Sequence, residues 1–444
     1  SARVARGGPL LSEGWGLLAE LSVWALAWVV AVAAAFRLPP RAAVFLVIVM
    51  AVGLRLAAIT GPPTTTDDFY RYSWDGRVQA AGVNPYEYTP GSAQLTHLRE
   101  PWLWPEEHPC PLAFRPNACT RINRPSVHTI YPPVAEAWFA GIYRLTGIEA
   151  RWKPWQVAGL LTDVAVVALL AVALRRSGKD PRWCALYALC PAPVLEIVNN
   201  GHVDGLAIGL ALAAFVVAGS PRQPAARREL LAGALLGAAA LVKLFPALFI
   251  LALVAAATGR RRALVRIGGA AGAVAVAGYL PHVLQVGTKV VGFLPGYLRE
   301  EQYDGAGRYL VAGGLGVPGA LAALLSGGAL LAAAVWVWKR RSAAPTGAAV
   351  ILGVLLLAAS PVQPWYAVTL LAFATLAVEP KWAAVVVAGY PYFFAVILLH
   401  PQRTGIGQLA YGLAAAAVAG AGAALLRGWR ARARSMEGCP RSGC

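Results

Sequence analysis

The chain has 444 residues, 58% of them hydrophobic and only 14% charged, with a mean hydropathy of +0.57. Soluble globular domains carry about a quarter charged residues and disordered chains are poor in apolar ones, so both classes are excluded. A net charge of +18 would suggest nucleic acid in a soluble protein, but here the excess lies in short loops between apolar blocks, which excludes that partner in favour of a membrane surface.

Taken in chain order, apolar blocks of about 15 to 23 residues alternate with short charged or proline-containing segments, and roughly 20 residues carry a helix across about 30 Å of hydrocarbon. They predict spans at 21–36, 42–60, 155–174, 183–198, 203–219, 263–280, 316–338, 346–360, 365–379, 382–399 and 407–426. The first block is too long for a signal-peptide core, lacks a small-residue cleavage site and begins only after Glu20, so it reads as a span. The block 230–258 is long for one crossing, contains Lys243 and Pro246, and is basic at both flanks. Flanks on the same side require an even number of crossings. The block therefore reads as two short or broken helices meeting near Lys243–Pro246, an interruption tolerated where backbone is buried or lines a cavity. The expected fold class is an all-α polytopic membrane protein, with about eleven full spans plus these two short or broken helices.

The basic clusters Arg175-Arg176, Arg227-Arg228, Arg260-Arg261-Arg262, Lys339-Arg340-Arg341 and the tail 427–444 mark the cytoplasmic side. With that tail inside, the N-terminus lies outside, against the weaker basic bias of Ser1–Gly8. A large first loop, 61–154, and a second, 281–316, then face outward, with short outer turns at 199–204, 360–365 and 400–408. Long loops without structure are uncommon, so the first is expected to be partly helical. Its segment 68–81 fits an amphipathic helix, with Phe69, Tyr72, Trp74, Val78 and Ala81 on one side and Arg71, Asp75 and Gln79 on the other. Six cysteines show no zinc spacing. Cys110 and Cys119 can pair if the first loop is extracytoplasmic, or stay free, while Cys184 and Cys190 read as small apolar helix residues.

The outer segments hold most of the unusual polar chemistry. The run Thr64-Thr-Thr-Asp67-Asp68-Phe69-Tyr70-Arg71-Tyr72-Ser-Trp74-Asp75-Gly-Arg77 is closed by Asn84-Pro85-Tyr86. Thr66 can N-cap a helix whose first turn carries Asp67 and Asp68, which the helix dipole favours, or a carboxylate there can take a proton from a hydroxyl nucleophile. Tyr72, Trp74, Asn84 and Tyr86 then count as substrate-binding candidates. A second cluster, Asn123-Arg124 to His128 and Tyr131-Pro132-Pro133, precedes a helix that the proline pair would start. In a third, Asn199-Asn200-Gly201-His202-Val203-Asp204, the His and Asp do not share a helical face, so a hydrogen-bonding turn is expected rather than a metal site. Lys243 reads either as snorkelling to an interface or as pairing with a lipid phosphate. Gln363, Trp365 and Tyr366 sit at a proline-broken junction, and Arg299 and Arg308 in the second loop are either phosphate donors or solvated charges.

Taken in this order, Asp67-Asp68 to Arg77, Asn84-Pro-Tyr, Thr129-Ile-Tyr-Pro-Pro, Asn200-Gly-His-Val-Asp, Val242-Lys-Leu-Phe-Pro and Gln363-Pro-Trp-Tyr resemble the bacterial polyprenol-phosphate-mannose-dependent mannosyltransferases, over about residues 40 to 400. These are GT-C class membrane glycosyltransferases. One departure is Gln363, where many relatives have His. The resemblance implies a GT-C type helical bundle in the bacterial cytoplasmic (inner) membrane, with its active site outside, that moves a hexose, mannose first, from a polyprenyl-phosphate donor to a lipid-linked glycan acceptor with inversion. It implies a catalytic acidic motif in the first outer loop, with Asp68 the candidate base and Asp67 beside it, and a polyprenyl-phosphate donor would make Lys243, Arg71, Arg299 and Arg308, read above from their charge, the candidate phosphate ligands. No cofactor is implied, and a divalent metal requirement stays open. The alternatives are an arabinofuranosyltransferase using the same kind of donor and, from another class, a transporter or flippase of polyprenyl-linked sugars, against which the lack of an internal repeat weighs.

Overall fold

The computed structural model describes residues 10–106, 119–303, 307–399 and 404–437. Every regular element among them is helical. Helix α1 (Leu10–Ala35) and α2 (Pro40–Ala58) form an antiparallel start, with Pro40 at the first helical position of α2, where its missing N–H leaves no bond unmade. The amphipathic segment of the first loop is α3 (Asp68–Ala80), and the Pro132-Pro133 pair opens α4 (Pro133–Thr146). Helix α3 starts one residue later than the capping pattern suggests. Asp67 occupies the N-cap position, and the Thr66 hydroxyl accepts the Asp68 N–H at 3.1 Å. Cys119 is disulfide-bonded, while Cys110 lies outside the described residues.

Helix α5 (Lys153–Arg176) runs back through the bundle, and α6 (Asp204–Ala218) follows after a broken stretch. The regions expected as separate spans at 183–198 and 203–219 contain a sharply bent pair, in which Pro191–Asn199 meets α6 at 117°. Pro191 and Pro193 interrupt the first half, and Val194–Asn199 is a π-helical turn, a form that tends to occur at functional sites. The block around Lys243 is broken as its sequence suggests. Helix α7 (Ala225–Ala240) ends there, and the chain resumes as a 3-10 turn, Phe245–Leu248, leading into α8 (Phe249–Ala256).

Helix α9 (Gly269–Val286) is followed by the short outer helices α10 (Leu294–Glu300) and α11 (Leu310–Gly314). The chain finishes with α12 (Gly319–Arg340), α13 (Ala344–Ala358), α14 (Tyr366–Ala377), α15 (Ala383–Leu398) and α16 (Thr404–Glu437). Part of the basic tail therefore continues a helix. Among the described residues seven helices are long and apolar enough to cross a membrane, eight if the bent pair is one span, and 245–256, α13 and α14 are shorter apolar helices.

Lipid-facing and protein-facing surfaces are distinct. Leu26, Phe45, Val265, Leu284 and Leu324 are exposed on the outside of the bundle, where hydrocarbon is the solvent. Helix α14 is apolar all round and buried along nearly its whole length, packing Phe373 against Phe215 and Phe249. A buried ion pair ties α2 to α5. Arg55 Nε and Nη2 meet Asp163 Oδ2 at 2.7 and 2.6 Å, Arg55 Nη1 donates to the Ala51 and Ala188 carbonyls, and Tyr187 donates to Asp163 Oδ1. At Gly159 α5 touches the π-helical turn directly. A methyl group there would stand 2.0 Å from the Ile197 carbonyl oxygen, so only glycine allows the approach that sets the turn's position.

Candidate active site

The π-helical turn and the loop after it hold the acidic segment in place. Asn199 Oδ1 accepts the Thr64 hydroxyl at 2.9 Å, and its amide nitrogen donates to the carbonyls of Ala58 and Pro62. Asn200 Oδ1 accepts the N–H groups of Thr64 and Thr65, and its nitrogen donates to the Thr65 hydroxyl and Glu196 Oε2. Two asparagines thus satisfy the extended backbone just before Asp67. Beyond it, Asn123 Nδ2 donates to both Asp67 Oδ1 and Asp68 Oδ1 at 2.9 Å, fixing the two carboxylates relative to each other. Asp68 Oδ2 points towards His202, whose Nε2 lies 3.8 Å away and 3.1 Å from the Thr66 hydroxyl. His202 is stacked on Trp365 at 4.2 Å between ring centres.

Asp68 opens onto a cavity of about 360 Å³, within the roughly 300–1,000 Å³ of ligand pockets. Arg71, His128, Tyr131, Lys243, Gln363, Trp365 and Tyr366 line it as well, so residues from four separated motifs share one space. The apolar side chains of Leu244, Phe245, Phe293, Leu294 and Leu298 line it too. Lys243 points inward. Its Nζ lies 3.3 Å from Asp204 Oδ2 and faces the rings of Tyr131 and Tyr366 at 5.7 and 5.2 Å, a cation-π arrangement. Neither Asp204 oxygen has a hydrogen-bond partner among the described residues.

Arg71 has two roles in geometry. Its Nε reaches both oxygens of Asp75 at 2.9 Å, while Nη2 has no hydrogen-bond partner and belongs to a side chain on the cavity wall. Behind it Asp75 neighbours Glu136, which accepts from Thr129 at 2.7 Å and Gln79 at 2.8 Å. Burial pushes both carboxyl groups above their ordinary range. Arg71 opposes the shift at Asp75, whereas the Asp75 charge adds to it at Glu136, so the pair retains a proton at a pH where free carboxylates lose theirs. Burial first and then the Asp68 charge push the phenols of Tyr72 and Tyr131 upward, keeping both protonated.

Other residues from the motifs lie elsewhere. Tyr72 is in an aromatic core, stacked on Phe139 at 4.4 Å, and Trp74 packs edge-on against Trp104. Asn84 and Tyr86 staple the first loop: Asn84 donates to Gln285 at 2.8 Å, and the Tyr86 hydroxyl donates to the Tyr131 carbonyl at 2.7 Å. Arg299 is exposed on α10. Arg308 pairs with Glu301 at 2.7 Å, and Glu301 in turn accepts from Gln363 at 2.8 Å, so Arg308 reaches the cavity only through two neighbours. Sequence reasoning did not single out Glu196, Tyr297 or Glu301, whose positions depend on tertiary contacts. Asn123 and Arg124 stood inside the second cluster. Arg124, at φ +48°, grips Glu300 with two nitrogens, joining the two outer loops at the cavity edge. Among the described residues no group of three His, Cys, Asp or Glu side chains is placed to hold a metal ion.

A polytopic helical bundle with a cavity of mixed polar and apolar lining, two tethered carboxylates and an inward-facing lysine has the architecture of a membrane enzyme. The chain belongs to glycosyltransferase family 87, whose model matches residues 129–361. That match contains the Thr129–Pro133, Asn200–Asp204 and Val242–Pro246 motifs and ends before Gln363. No curated protein and no solved structure matches the chain. The protein is thus a multi-pass membrane glycosyltransferase.

Proposed function

We propose that the protein moves a hexose, mannose by the motif resemblance, from a polyprenyl-phosphate donor to a hydroxyl of a lipid-linked or cell-envelope glycan, with inversion, on the outer face of a bacterial cytoplasmic membrane. The observation that carries this reading is the composition of one cavity, lined by Asp68, Arg71 and Lys243 together with the apolar Leu244, Phe245, Phe293, Leu294 and Leu298. A lipid phosphate needs both kinds of wall. In the proposed step the acceptor oxygen bonds to the anomeric carbon as the bond from that carbon to the phosphate oxygen breaks. The acceptor proton passes to Asp68, and free polyprenyl phosphate leaves. The leaving group departs as an anion, so it needs cations rather than a general acid. Lys243 and the unpaired nitrogen of Arg71 supply them, while Asn123 keeps Asp67 aligned beside the base.

The test is reconstitution with polyprenyl-phosphate mannose, glucose and arabinose in turn. Release of polyprenyl phosphate only when acceptor is present supports transfer, and release or movement without acceptor overturns it. Asp68→Asn should reduce transfer about 10²- to 10⁴-fold with the fold intact, since an amide cannot take the proton. Near-normal turnover in that variant would remove Asp68 as base. For sidedness, a cysteine at exposed Gln94 should react with an impermeant thiol reagent in intact cells or spheroplasts, and protection there would reverse the orientation.

A further inference from the structure

A second and larger cavity, of about 680 Å³, lies at the opposite end of the bundle. Helix α6 begins at the candidate active site with Asp204 and reaches this cavity with Phe215 to Ala218, and α5 reaches it with Arg176. At 1.5 Å per residue the two cavities are roughly 20 Å apart along α6. The floor is apolar, with Phe215, Val216, Leu253 and Ile267, and the rim carries Arg176, Lys179, Arg222 and Arg228. The acid of the lining, Glu229, is paired with Arg266 at 2.9 Å, and Arg228 hydrogen-bonds to the Ser220 carbonyl oxygen. Lys179 hydrogen-bonds to the Leu376 carbonyl oxygen and also faces the charge of Glu379, which is itself paired with Lys381 at 3.2 Å, so the three arginines carry the uncompensated charge of the rim.

An apolar floor under a positive rim, at the ends of membrane helices, matches an amphiphile with an anionic head. We propose that this cavity binds the phosphate headgroup and upper acyl chain of an anionic membrane phospholipid, in the leaflet opposite the candidate active site. The inference does not depend on the sugar, the donor or the base.

The test uses the full chain in phosphatidylcholine vesicles with added phosphatidylglycerol, followed by native mass spectrometry of retained lipid and by thermal unfolding. The wild type should retain phosphatidylglycerol over phosphatidylcholine and be stabilised by it. Each rim cation contributes about fivefold near an anionic headgroup, so Arg176→Ala, Arg222→Ala and Arg228→Ala together should weaken retention on the order of a hundredfold. A control triple, Arg261→Ala, Arg262→Ala and Arg340→Ala, removes the same charge from residues outside the lining and should have little effect. Ala257→Trp keeps every charge but fills the cavity, so it should also abolish retention; it carries the test if the charge variant loses its fold. Equal losses in both triples, unchanged retention in the Trp variant, or equal protection by soluble glycerol phosphate without lipid would each overturn the proposal.

Discussion

Two ion pairs inside this bundle use the same chemistry and are built in opposite ways. Arg55–Asp163 is fully buried, its atoms 2.6 to 2.7 Å apart, with the guanidinium and carboxylate further bonded to two carbonyls and a phenol. Lys243–Asp204 is looser at 3.3 Å, its lysine is 13% exposed, and the carboxylate has no hydrogen bond among the described residues. In hydrocarbon an unsatisfied charge is costly, so a pair left half-satisfied beside a cavity is stable only where something polar can enter. The closed pair is a lock between helices. The open pair is where the proposed donor phosphate would bind.

The largest effect should fall on the lock. Asp163→Ala strands a buried guanidinium and should cost about 3–5 kcal/mol of stability, read as loss of the folded peak in detergent and a lowered unfolding temperature. A variant as stable as wild type would erase the contrast. Next, Lys243→Ala should leave the fold largely intact but weaken apparent donor affinity by about tenfold, an effect on the order of 1.4 kcal/mol, with acceptor affinity nearly unchanged. Lys243→Arg should keep part of the function, and an unchanged donor affinity in the alanine variant would reduce Lys243 to a packing residue. The smallest effect concerns Asp75–Glu136, a pair closed like the lock but holding a proton. Because burial raises the folded-state value of Glu136, its contribution is complete below the ordinary carboxylate range and is lost as pH rises through the raised value. Glu136→Gln should therefore flatten the fall in stability on the alkaline side while changing acid stability by less than about 1 kcal/mol. An unchanged pH profile would show that Glu136 does not hold the proton.

What the sequence disclosed follows from how local each signal is. The break at Lys243–Pro246 and the start of α4 were legible because proline and a lone charge act within a turn of chain. The 117° bend before α6 was not, since both halves are apolar and hydropathy is blind to direction. Asp68 stood out as one of two adjacent carboxylates in the first outer loop, and Lys243 as a lone charge inside an apolar block. Tyr72 and Trp74 share the same motif yet are taken up by aromatic packing, Tyr72 on Phe139 and Trp74 on Trp104, contacts made with residues far along the chain. Arg55 and Asp163 were not singled out from the sequence, because residues 108 positions apart become partners only through packing.

One backbone contact bears on chimeras. The carbonyl of Leu241, at the frayed end of α7, accepts the N–H groups of both Val134 and Ala135 at 3.1 Å. The first turn of the outer-loop helix α4 is thereby capped by the interruption that carries Lys243. Segment 61–154 is consequently not a portable cassette. Grafted onto a relative, it would arrive without the carbonyl that terminates it, and any acceptor preference it encodes should transplant only when the stretch around 239–246 travels with it.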